Sequence, residues 1–150
     1  MEKLKLFLDV CVYNRPFDSQ SDERIALETS IFIYILEKIQ KGNYRLVTSE
    51  SLEYENEKNP DLERKARVNT YFKLSGEYIQ YEETDSERVN YLAGIGLSLV
   101  DALHVTLAEK AKVDYFVTCD DRIVSVYRKN RSVFKISIIG LREFISLEEQ

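Results

Sequence analysis

The chain has 150 residues, 44% hydrophobic and 31% charged, with a formal net charge of −5. These values are an ordinary globular balance, fit one domain over 1–150, and weigh weakly against nonspecific nucleic-acid binding by net charge alone. No apolar run approaches the roughly 20 residues of a membrane helix. MEKLKLF lacks the apolar stretch and cleavage site of a signal peptide, so the expectation is a cytoplasmic protein without a membrane role, its Cys11 and Cys119 reduced.

Leu4 to Leu8 reads as a buried strand ending at Asp9, and NRPFDSQSD as a polar loop. From Asp22 to Lys41, apolar Ile25, Phe32, Leu36 and Ile39 recur at helical spacing, and Gly42 is placed to end the helix. YRLVT is a second strand. SESLEYENEK is a short helix that Ser49 or Ser51 would cap. NPD breaks the chain before a helix over Leu62 to Leu74. YIQY is a third strand, and Thr84 or Asp85 opens a helical stretch through Gly96. Leu99 to Lys112 is an apolar helix, followed by the strands DYFVT and VFKISII. Strands alternating with helices predict a parallel sheet covered on both faces, an α/β fold in three layers. No internal repeat, low-complexity linker, GxGxxG or GxxxxGK[ST] is present.

Ligands of such sheets bind beyond the carboxyl ends of the strands. Asp9 ends the first strand, Asp120 and Asp121 end the fourth, and Glu50, Glu53 and Glu55 follow the second. Asp101 begins an apolar helix, where a carboxylate needs a proton, a cation or hydrogen bonds. Singly, each acid has an ordinary reading as a cap or turn residue. Together they point to a hard divalent cation, Mg²⁺ or Mn²⁺, because no Cys/His cluster competes for a softer metal.

Four stretches, LFLDVCVYNRP, TSESLEYE, LVDALHVTLAEKAKVDYFVTCDD and ISIIGLREFI, together resemble the PIN domain. That family comprises metal-dependent ribonucleases and includes toxins of toxin–antitoxin pairs. The resemblance implies an α/β/α sandwich around a parallel sheet of about five strands. It also implies an endoribonuclease (a phosphodiester hydrolase) that needs Mg²⁺ or Mn²⁺. The family's four acids fall on Asp9, Glu55, Asp101 and Asp120 as catalytic and metal-binding residues. Glu53 is the alternative to Glu55, and Asp121 is an outer ligand or a helix cap. Thr118 matches the hydroxyl beside the last Asp. Val10 and Cys11 stand where the family has Thr or Ser, then Asn or Ser. The implied partners are RNA, a second copy of the chain and, for a toxin, a small antitoxin.

From Arg122 to Arg142 there are six basic residues and no acidic one, which on charge alone reads first as a solvated helix-loop face and second as a candidate RNA path. Asn14 and Arg15 are within sequence reach of a phosphate, and Tyr13 and Tyr127 are candidates for base stacking. His104 reads first as a packed helix histidine and second as a neighbour of the pocket. Two rival classes stand beside the nuclease. One is a catalytically weak or inactive RNA-binding or scaffold module. The other is an aspartate-based phosphotransferase, which fits poorly because Asp9-Val10-Cys11 lacks a paired acid.

Overall fold

Runs of Leu, Val, Ile and Phe whose two faces are both buried build the centre of the molecule, seen in a computed structural model that describes residues 3–148. They form strands β1 (Leu4–Leu8), β2 (Tyr44–Ser49), β3 (Glu77–Ile79), β4 (Tyr115–Thr118) and β5 (Ser137–Gly140). The strands join in one sheet of order β3-β2-β1-β4-β5, and every neighbouring pair is parallel. Phe7 of β1 stacks on Phe116 of β4, their ring centres 5.2 Å apart, at the middle of the core.

Helices connect the strands: α1 (Val10–Asn14), α2 (Glu23–Gln40), α3 (Glu50–Glu57), α4 (Leu62–Phe72), α5 (Ser86–Gly94), α6 (Leu99–Lys110), α7 (Asp121–Lys129) and α8 (Leu141–Glu148). α2 packs with α8, and α5 with α6, so helix layers flank the sheet. This is the three-layer α/β arrangement expected. Asp22 caps α2 by accepting from the Ile25 amide. At its other end Gly42, with φ of +80°, takes the left-handed turn that an L side chain rarely adopts.

Three helices differ from the sequence reading. The stretch between Asp9 and the polar loop, given no element in the sequence reading, forms α1, which buries Val10, Val12 and Tyr13. α7 arises from the stretch read only as a charge run, because Ile123, Val124 and Tyr127 share one buried face. α8 follows β5 directly and buries Leu141 and Phe144.

Candidate functional site

The strand order reverses between β1 and β4, the position at which parallel sheets place their ligands. Asp9 leaves β1 there and is only 5% exposed. Its Oδ1 accepts from the Val10 amide at 2.8 Å, and its Oδ2 accepts from the Thr118 hydroxyl at 2.8 Å. The Cys11 thiol lies 3.6 Å from Oδ2 and 3.5 Å from the Thr118 hydroxyl. Val10 has no hydroxyl to offer, but its backbone, Thr118 and Cys11 supply the support that Asp9 needs. Thr118 also accepts from the Asp120 amide at 3.0 Å, so one hydroxyl joins the first and last candidate acids. The Cys119 amide donates to Cys11 Sγ at 3.2 Å, so the two cysteines meet where β1 and β4 end.

Ser49 caps α3 by accepting from the Leu52 amide. One helical repeat separates Ser51 and Glu55, which places both on the same face of α3. Opposite them, α6 presents His104, which is 0% exposed. Its Nδ1 is 2.7 Å from Ser51 Oγ and its Nε2 is 2.5 Å from Glu55 Oε1. One carboxylate oxygen each of Asp9 and Glu55 and one ring nitrogen of His104, atoms of the kind that can hold a metal, all lie within 4.8 Å of one another.

Asp101 occupies the first turn of α6, which Ser98 caps by accepting from the Asp101 amide at 3.1 Å. Asp120 caps α7 by accepting from the Arg122 amide at 2.9 Å. Glu55, Asp101 and Asp120 line a cavity of about 280 Å³ with Tyr54, Lys58 and Arg122. The guanidinium of Arg122, 90% exposed, reaches back to Asp120 Oδ2 at 3.1 Å. Loss of hydration pushes the Asp9 carboxyl above its usual range, against the pull of His104 and Thr118 and with the repulsion of Asp101 and Glu55. Burial also raises the Asp101 carboxyl, and Asp120 and Glu55 add to the rise. Crowded, desolvated carboxylates with no buried lysine or arginine among them suit a hard cation.

Asp9, Glu55, Asp101 and Asp120 thus meet in one region, whereas Asp121 turns elsewhere. Its carboxylate takes two hydrogen bonds from Arg24, at 2.7 and 2.8 Å, beside a different cavity. Glu53 accepts from the Tyr78 hydroxyl, and Glu50 from the Tyr81 amide, so neither joins Glu55. The basic run is dispersed. Arg122 stands at the acidic cleft. Arg128, Lys129 and Arg142 border the cavity near Asp121, and Lys135 borders another with Arg88 and Glu109. Two stacking candidates are corrected by burial: Tyr13 is enclosed by Phe32, Phe72 and Tyr71, and Tyr127 packs on Phe134. Arg15 turns to Asp18 and Glu28, and Asn14 donates to the Val10 carbonyl, so both are engaged within the fold. The contact between His104 and Glu55 is the part of the site that sequence reading weighed too lightly. Its signal is the pairing of Ser51-x-x-x-Glu55 with Asp101-x-x-His104.

Among the described residues, no helix is long and apolar enough to cross a membrane. No family model matches the chain, and no curated protein matches it in sequence. Solved structures do share its fold. VapBC2 from Rickettsia felis, bound to a DNA fragment from its promoter, aligns at 15% identity with a TM-score of 0.57, over 91% of this chain and 98% of that one. FitAcB from Neisseria gonorrhoeae aligns at 13% identity and 0.55, over 91% and 97%. DNA-bound VapBC from Salmonella typhimurium aligns at 18% identity and 0.51, over 92% and 98%. The fold is therefore PIN-like, as the sequence motifs imply.

Proposed function

We propose that the protein is a Mg²⁺- or Mn²⁺-dependent endoribonuclease whose metal-binding residues are Asp9, Glu55, Asp101 and Asp120. The observation that carries this reading is the buried Asp9 carboxylate, which has hydroxyl, amide and imidazole neighbours but no lysine or arginine against it. When bound, a divalent cation supplies Lewis-acid stabilisation of charge on a phosphate and makes a neighbouring water more acidic. Thr118 holds Asp9 in place and ties the backbone of Asp120 to it. The Arg122 guanidinium, exposed beside Asp120, is placed to meet a phosphodiester that enters the cleft. Asp121, bound to Arg24, braces α7 against α2 and has no part in this metal set.

Likeness in fold to VapBC and FitAcB structures supports extending the proposal to a toxin with a small antitoxin partner. The motif resemblance adds a homodimer, and length and composition add one catalytic domain over 1–150 in the cytoplasm. The test incubates single-stranded RNA with wild type and with Asp101→Asn, in Mn²⁺, Mg²⁺ or EDTA. Internal cleavage by wild type that EDTA and Asp101→Asn each abolish is expected. Mn²⁺ binding without cleavage would favour the RNA-binding module, and absence of both would remove the nuclease reading.

A further inference from the structure

Glu55 reaches the cluster from a short helix, with its side chain 39% exposed. An exposed glutamate samples many rotamers, and fixing it costs side-chain entropy. Here one partner limits that freedom. His104 lies wholly inside the fold with both ring nitrogens engaged, Nε2 by Glu55 at 2.5 Å and Nδ1 by Ser51 at 2.7 Å. Ser51 Oγ is in turn 2.6 Å from Ser49 Oγ, which accepts from the Leu52 amide at 3.2 Å. The directions of these bonds form one consistent chain. Because a carboxylate only accepts, the consistent assignment has the ring donating Nε2–H to Glu55, Nδ1 accepting from Ser51, and Ser51 accepting from Ser49. The chain begins at the cap of α3 and returns to α3 in its last turn, with α6 as the pivot.

We infer that His104 is a positioning residue for the metal site, holding the Glu55 carboxylate beside Asp9 while Ser51 fixes which ring nitrogen carries the proton. This rests on the metal reading of the cleft. In this arrangement the ring acts through Glu55 and is not itself a ligand. Hydrogen-bond partners behind metal ligands typically change affinity by about 10–100-fold when removed.

Two amide substitutions separate positioning from packing. His104→Gln can place an N–H where Nε2 stands, whereas His104→Asn reaches only the Nδ1 side, towards Ser51. Mn²⁺ affinity by calorimetry, Mn²⁺ electron-spin resonance and metal-free melting temperature are the readouts. His104→Gln is expected to keep near-wild-type affinity, and His104→Asn to lose about 10–100-fold. A purely structural histidine would lower both melting temperatures and leave the two affinities equal, and that result would overturn the inference. Strong nitrogen hyperfine coupling in wild-type Mn²⁺ protein would also overturn it, by making the ring a direct ligand. If His104→Asn fails to fold, Ser51→Ala serves in its place, and unchanged Mn²⁺ affinity in that variant counts equally against the inference. Failure of wild type to bind Mn²⁺ would remove the metal reading and this inference together, whereas equal binding by all variants removes this inference alone.

Discussion

Two buried carboxylates, Glu28 and Asp9, meet opposite treatment in this molecule. Glu28, 1% exposed, lies between two arginines, Arg15 at 2.9 Å and Arg24 at 3.4 Å. Those arginines extend the network to Asp18 and Asp121, and Arg64 joins it at Asp18. Asp9, nearly as buried, receives hydrogen bonds but no arginine or lysine, and further acids surround it. A carboxylate with permanent counter-ions is a structural joint. One that lacks them in a crowded acidic cleft leaves its charge to be balanced by something mobile. The adjacent Asp120 and Asp121 both meet an arginine, but Arg24 holds Asp121 beside a different cavity, while Asp120 borders the cleft with the exposed Arg122 as its partner.

The largest effect is expected where the permanent ions are broken. Glu28→Gln leaves two half-buried guanidinium groups facing a neutral amide. Chemical denaturation should show a loss of about 3 kcal/mol, the low end for a broken buried pair because Arg24 reaches solvent. A loss below a few tenths would mean that the network is not a joint. Next is the effect of a mobile cation on the acidic side. Mn²⁺ at a hundredfold excess over its dissociation constant should stabilise the fold by about 2.7 kcal/mol, read as a higher melting temperature than in EDTA. Asp101→Asn should abolish most of that gain.

Without metal, the same substitution should act in the opposite direction from Glu28→Gln. The Asp9 and Asp101 carboxyls hold protons more tightly in the folded state than in the unfolded state. Their ionisation therefore opposes folding. The penalty is complete above the raised folded values, and it disappears as pH falls through them to below the ordinary 3.8. In EDTA at neutral pH, Asp101→Asn should melt higher, and a gain of about 1 kcal/mol corresponds to roughly 2–4 °C for a chain of this size. Its melting temperature should also depend less on pH between neutrality and pH 4 than that of wild type.

The smallest expected effect concerns the dispersed cations. Arg122→Ala should flatten the slope of log RNA affinity against log salt by about 0.7, one single-strand phosphate contact. Lys135→Ala, on a cavity with Arg88 and Glu109, should leave the slope unchanged. Equal slopes for the two variants would place Arg122 outside the RNA path.

The sheet was legible in the sequence because each strand is a short apolar run beside a turn or helix signal. The meeting of Asp9, Glu55, Asp101 and Asp120 in the structure follows from parallel topology, which sends every strand's carboxyl end to one edge. α1 was hidden because five residues carry too little periodicity, and Pro16 stands two residues beyond them. The fate of Asp121 was not local information, since Arg24 lies 97 positions away in the chain. His104 was ambiguous for a different reason. An apolar helix face gives the same pattern whether its histidine is merely packed or hydrogen-bonded across to Glu55, and only the approach of α3 decides between them.

The Thr118–Asp9 hydrogen bond joins residues 109 positions apart. During synthesis Asp9 emerges first, and Thr118 leaves the ribosome only 109 residues later, with Asp120 just behind it. At about 5–20 residues per second, that interval lasts roughly 6–20 s. Until it closes, Asp9 has neither its hydroxyl partner nor its neighbour from β4, so a partly made chain carries the acids without the cleft. Whatever the cleft does, translation sets the earliest moment at which it can begin.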